Sequence, residues 1–280
     1  MTSCLQKSAM GELAEKPDSQ RGILDAAHAS QNFTLRRYYP SAPLGGLIEH
    51  YWIINWDLRG KAPYTAEVLP HPAINLAFTR ERGWVTGVTT GKYTYDLEGE
   101  GIVLGIQFKP GAFRAFLGRS VSDITDKVLP ATAIFPAAGD DYRAALLAGP
   151  SDGALIADSE KLILDRLPPP DPNVALVNDI IAFVRDDRSL LQVGAIARRF
   201  DVAERTLQHL FANYVGVGLK WVIRRYRLMD AAERADLGEA HSWTEIAHEL
   251  GYADQAHFTN DFTKIVGRPP TGYARHVARD

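Results

Sequence analysis

The sequence predicts an α+β protein of several domains: an antiparallel β-rich N-terminal part, a helical connector, and an all-α C-terminal part built on a duplicated pair of short helices. Three observations predict it. Between Phe33 and Phe108, short apolar and aromatic runs alternate with turn residues, the pattern of half-buried strands. The segment PPPDP at 168–172 is stiff and cannot continue a helix, so it divides the chain. The last hundred residues match themselves at a spacing of 50 to 51.

Residues 1–30 are small and polar without sustained periodicity and read as a flexible tail. The β-rich domain is assigned to 31–125 on the runs LIEHYWIINWDL, EVLPHPAINLAFT, GWVTGV, KYTYDLEG and IVLGIQFKPG. After Gly111 the pattern turns helical through AFRAFLG, DYRAALLAG and DGALIADSEKLILDRL, and residues 126–172 are assigned as a helical connector ending in the proline-rich linker. Residues 173–280 form the helical domain.

Bulk properties limit the function. The chain has 280 residues, 46% hydrophobic and 23% charged, which suits a globular protein with two cores. Apolar runs stop well short of the ~18 residues of a membrane span, the N-terminus lacks the pattern of a secretory signal, and the expected location is the cytoplasm, with no membrane partner. The single cysteine, Cys4, excludes an internal disulfide and a cysteine metal site.

Within the last domain, SLLQVGAIARRF and SWTEIAHELGY each open on Ser followed three residues later by Gln192 or Glu245, a capping box that satisfies free N–H groups at a helix start. Ile196-Ala197 pairs with Ile246-Ala247, then Leu207 with Phe258, Phe211 with Phe262, Val215 with Val266 and Gly216 with Gly267. A short helix, a tight turn and a second helix held by two apolar plugs is a helix-turn-helix, whose second helix enters a DNA major groove.

The outward positions of the second helix in copy one are Glu204, Arg205, Gln208, His209 and Ala212, which correspond to Gln255, Ala256, Thr259, Asn260 and Thr263 in copy two. Forked amide and guanidinium groups match base edges, so Glu204, Arg205, Gln208, His209, Gln255, Ala256, Thr259 and Asn260 are the candidate base-reading residues. Arg198, Arg199, Arg224, Arg225, Arg268 and Arg275 are the candidate phosphate contacts. Residues 219–237 between the copies read as one helix holding both units. Residues 173–280 hold 14 Lys plus Arg and 14 Asp plus Glu, so phosphate attraction must come from where the charges sit.

With these residues in place, 174–278 resembles the double helix-turn-helix of AraC-type bacterial transcription regulators: Ile246-Ala247, Gly251-Tyr252, Asp254-Gln255, His257-Phe258, Phe262, Gly267, Pro270 and Tyr273 fall on that family's signature. The resemblance implies sequence-specific binding to double-stranded promoter DNA. Ala203 stands where the family usually has a capping Ser, and His209 and Asn260 stand where it has Arg. More loosely, YYPSAPLGGLIEHYWIINW, EVLPHPAINLAF and LGIQFKPGAFRAFLG resemble an uncharacterised cupin-like sensor domain fused to such units, which implies effector binding or homodimer formation.

Trp52, Trp56, Tyr64, His71 and Trp84 are the candidate effector-pocket residues, because small-molecule sites are aromatic-lined with a few polar groups. No cofactor or metal is expected: His50, Glu67 and His71 are isolated, without the His-x-His spacing of a cupin metal site, and no phosphate loop, nucleophile elbow or His-Glu-x-x-His helix occurs. The expected function is a transcriptional regulator and not an enzyme. Two rival readings are a cupin-like enzyme with a helical accessory domain and a protein-interaction adaptor with degenerate helix-turn-helix units.

Overall fold

A computed structural model describes residues 14–16, 21–187 and 192–278. A six-stranded antiparallel sheet runs in the order β1-β2-β7-β4-β5-β8, and a separate hairpin-like pair joins β3 to β6. The strands are β1 (Thr34–Tyr38), β2 (Ile48–Asp57), β3 (Tyr64–Val68), β4 (Asn75–Phe78), β5 (Gly83–Thr86), β6 (Tyr93–Leu97), β7 (Glu100–Phe108) and β8 (Val128–Pro130).

Side-chain alternation gives the large sheet two unlike faces. Tyr51, Ile53, Leu76, Phe78, Val85, Leu104, Ile106 and Phe108 enter a core shared with the following helices. Trp52, Ile54, Asn75, Ala77, Trp84 and Val103 face the other way, towards β3 and β6. Two indoles of β2 lie flat over glycines of β7: Trp52 is in register with Gly105 and Trp56 with Gly101. A Cβ at Gly105 would stand 1.9 Å from Cε2 of Trp52, so this packing requires the missing side chain.

The apolar face is covered by α2 (Arg114–Leu117), α3 (Asp140–Leu147) and α4 (Asp152–Leu164), with Phe113, Phe116 and Phe135 clustered against Phe108. Arg36 and Tyr38 of β1 fasten α4 by bonds of 2.6 and 2.7 Å to the carboxylate of Asp152. The segment expected to be a connector is therefore built into the β domain, and β8 at 128–130 adds a strand to the sheet beyond residue 125. The tail assignment for 1–30 also needs correcting over its described end: α1 (Ala26–Asn32) packs on the β domain, Leu24 is buried, and Ile23 bridges to Val68. Sequence reading missed this because α1 is one short helix, too brief to show a period.

The helical domain comprises α5 (Pro172–Asp186), α6 (Val193–Phe200), α7 (Glu204–Tyr214), α8 (Leu219–Asp236), α9 (Trp243–Glu249), α10 (Gln255–Val266) and α11 (Pro270–Val277). The helix pairs are α6–α7 and α9–α10. Every paired plug is buried in both copies, Leu207 and Phe258, Phe211 and Phe262, Val215 and Val266, and Gly216 and Gly267 both take positive φ at the end of the second helix. Ser242 caps α9 by accepting from the Glu245 N–H at 3.3 Å. The corresponding Ser189 lies outside the described residues. Helix α8 has 18 residues and so spans about 27 Å between the two pairs.

Candidate nucleic-acid interface and adjoining cavity

Copy one presents Glu204, Arg205, Gln208 and His209 of α7 to solvent, and copy two presents Gln255, Ala256 and Asn260 of α10, with Thr259 half-buried. Burying Leu207 and Phe211 beneath α7, and Phe258 and Phe262 beneath α10, fixes these faces outward. The caps differ. Asp254 opens α10 by accepting from the His257 N–H at 2.7 Å, whereas Ala203 offers α7 no side-chain acceptor. The Gln255 amide oxygen accepts from the Thr244 hydroxyl at 2.7 Å, which aims its NH2 group outward. Arg205 is exposed, with no hydrogen bond or ion pair among the described residues. The C-terminal end of α7 is covered by the β domain, where Ser120 and Thr125 donate to the carbonyls of Ala212 and Gly216.

The candidate phosphate contacts separate into three groups. Arg198, Arg199 and Arg275 are exposed and Arg268 is half-buried. Arg224 is 43% exposed but ion-paired to Asp261 of α10 at 3.0 Å. Arg225 is not available: it is 2% exposed, lies over the Trp221 ring, and one of its nitrogens donates to the carbonyls of Thr89, Thr90 and Gly91 in the β5–β6 loop. Its assignment as a phosphate contact is overturned. Helix α8 is buried on most sides between the two domains, and Arg227 is spent on Asp230 and the carbonyls of Val184 and Asp187.

A cavity of about 640 Å³ lies between the two sheets of the β domain and is closed at one end by α5 and by Tyr226 of α8. Of the five candidate pocket residues, Trp52, His71 and Trp84 line it. Trp56 and Tyr64 do not: Trp56 donates to the Glu98 carbonyl at the far end of β2, and Tyr64 packs on His28 and Phe33 in a satellite cluster. Sequence reading missed Asn75 and Gln107, which are in register across β4 and β7 on the Trp52 face, and Arg37 and Arg185. Parity along the strands carried a signal for the first pair; nothing local marked Arg185.

The cavity lining is cationic: Lys16, Arg21, Arg37, Lys109 and Arg185 outnumber Glu49 and Asp179. Burial pushes the His50 imidazole down to about 2, with Lys16 and Arg37 adding to the effect. Burial likewise pushes His71 down to about 3, helped by Arg21 and Arg37. Both rings are neutral at pH 7; His50 Nδ1 lies 3.4 Å from the Lys16 ammonium, and the His71 ring packs on Tyr226. Among the described residues no three His, Cys, Asp or Glu side chains gather as a metal-ligand set, and no helix is long and apolar enough to cross a membrane.

Comparison with known proteins follows the same division. Residues 36–130 match a family described as a domain of unknown function, and residues 196–276 match one described as a helix-turn-helix domain. The "HTH-type transcriptional activator RhaS" of Pectobacterium carotovorum subsp. carotovorum is 33% identical over 85 residues, 30% of either chain. A Streptomyces lividans protein described as an AraC-like transcription regulator is 30% identical over 106 residues, 38% of this chain and 34% of that one. The chain thus spans about a third of the length of these curated relatives. The structure of ToxT from Vibrio cholerae superposes over 81% of this chain and 97% of that one, with 11% identity and a TM-score of 0.41.

Proposed function

We propose that this chain, which carries an AraC-type helix-turn-helix domain at 196–276, is a sequence-specific transcriptional regulator that binds promoter DNA through α7 and α10 and responds to a small-molecule effector held in its β domain. One observation carries the reading: a duplicated helix pair leaves the same outward face of its second helix exposed in both copies, populated by Arg, Gln and Asn side chains, while every plug behind it is buried. Arg205 and Gln208 on α7, and Gln255 and Asn260 on α10, contact base edges; Arg198, Arg199, Arg268 and Arg275 supply phosphate contacts, with Arg224 free to join them if DNA displaces Asp261. The effector has an apolar or aromatic body, to match Trp52, Trp84 and Tyr95, and carries an anionic group, to match the excess of cations in the lining.

Selection of bound oligonucleotides from a random pool by the full chain tests the DNA assignment. A recovered site with two short base-specific blocks about one helical turn apart is the expected result. Recovery of no consensus refutes it.

A further inference from the structure

Three consecutive residues of α8 touch three different things. Arg224 pairs with Asp261 on α10, the second reading helix, at 3.0 Å. Arg225 buries its guanidinium in the carbonyls of Thr89, Thr90 and Gly91. Tyr226 closes the cavity, with its ring 5.9 Å from that of His71 and 5.5 Å from the Arg21 guanidinium. Successive positions on a helix point about 100° apart, so one turn of α8 can meet all three without bending.

The loop that receives Arg225 is itself a cavity wall. Thr86, Gly87 and Thr89 line the space on one side while the carbonyls of 89–91 face α8 on the other. The loop is fixed from behind by Asp126, whose carboxylate accepts from the Thr90 N–H at 2.6 Å and from the Thr90 hydroxyl at 2.7 Å. Next to Asp126, Thr125 donates to the Gly216 carbonyl at the end of α7. One short platform of the β domain therefore holds the end of α7 and the middle of α8, and its inner surface lines the cavity.

We infer that Arg225 is a positioning residue: it couples the content of the β-domain cavity to the placement of the second reading helix, through the Thr89–Gly91 carbonyls on one side and Arg224–Asp261 on the other. An arginine that contacts phosphate needs exposure, whereas this one has three acceptors on a single nitrogen and a ring beneath it, the setting of a structural clasp. Its other terminal nitrogen, Nη1, is buried without a hydrogen-bond partner among the described residues, so the three carbonyls of the loop carry the whole clasp. The inference rests on the proposed function for its purpose, but its test does not require DNA.

The test is amide hydrogen exchange of residues 255–266 in the full chain, with a ring placed in the cavity by Ala66→Phe, at a β3 residue that lines it, in place of the unidentified effector. Ala66→Phe is expected to accelerate exchange in α10 about tenfold with Arg225 present, and to add less than about twofold in an Arg225→Met background. Arg225→Met alone is expected to accelerate the same amides, and Arg225→Lys, which keeps a donor for the carbonyls, to restore part of the protection. Additive effects of Ala66→Phe and Arg225→Met, or an α10 indifferent to Arg225→Met, overturn the inference. Should Arg225→Met not fold, Asp126→Gly releases the loop from the other side at a position whose φ of 55° glycine accepts, and the same pair of outcomes applies. A chain that binds no DNA yet shows the coupled exchange would refute the proposed function and leave the clasp standing.

Discussion

Replacing Arg205 and Gln255 separately by Ala gives different losses for reasons visible in their surroundings. Arg205 has no hydrogen bond or ion pair among the described residues to release, so its fork is available to a guanine edge, and a bidentate contact of about 1–3 kcal/mol corresponds to about a 5- to 150-fold loss of affinity. The Gln255 amide oxygen is already occupied by the Thr244 hydroxyl at 2.7 Å. A base must share that oxygen with Thr244, so Gln255→Ala is expected near the lower end, about 1 kcal/mol or fivefold. The assay is fluorescence anisotropy at fixed salt against the selected site and its single-base variants. Each replacement should flatten discrimination at its own base position and leave the salt slope unchanged, while Arg198→Ala should weaken all variants alike and lower the slope by about 1. Losses that are uniform across the base variants for both Arg205→Ala and Gln255→Ala would refute the assignment of these helix faces.

Other consequences are measurable without DNA. Gly105→Ala places a methyl 1.9 Å from the Trp52 indole, so the ring must move into the cavity and lose its 3.2 Å bond to Asn75; thermal unfolding should show a destabilisation of about 1–3 kcal/mol. Ser242→Ala removes the cap of α9 and should cost about 1 kcal/mol by chemical denaturation, with Asp254→Ala doing the same at α10. Burial raises the Asp236 carboxyl to about 6, against a bond donated by the Tyr273 hydroxyl. A raised carboxylate favours the fold below its unfolded value near 4 and loses that contribution as pH climbs to about 6, so Asp236→Asn should stabilise the chain at pH 7 and remove this part of the pH dependence. His50 and His71 act in the opposite sense: their depressed values make the fold lose stability as pH drops below the ordinary imidazole value, and an acid titration of the unfolding midpoint in His71→Gln should be flatter between about 6 and 3.

The duplicated helix pairs were legible because their determinants are local. A period near 3.6 decides which of Leu207, Gln208, Phe258 and Thr259 face inward, and a Ser or Asp before an apolar run decides where α9 and α10 start, so the outward faces emerge from spacing alone. The strands of the β domain were equally local, and the aromatic residues that could line a pocket could be named. Which of them do so depended on how distant strands pair: Trp52 faces open space, whereas Trp56, on the same face four residues on, lies outside the cavity with its indole N–H on the Glu98 carbonyl. Arg225 marks the limit most clearly. By sequence it is an arginine on the polar side of an amphipathic helix, as Arg224 is. Only the docking of α8 against the β5–β6 loop, a contact between residues about 135 positions apart, turns one into a buried clasp and leaves the other near solvent. Period and capping are written in neighbouring residues, and burial is set by whatever distant part of the chain arrives to exclude water.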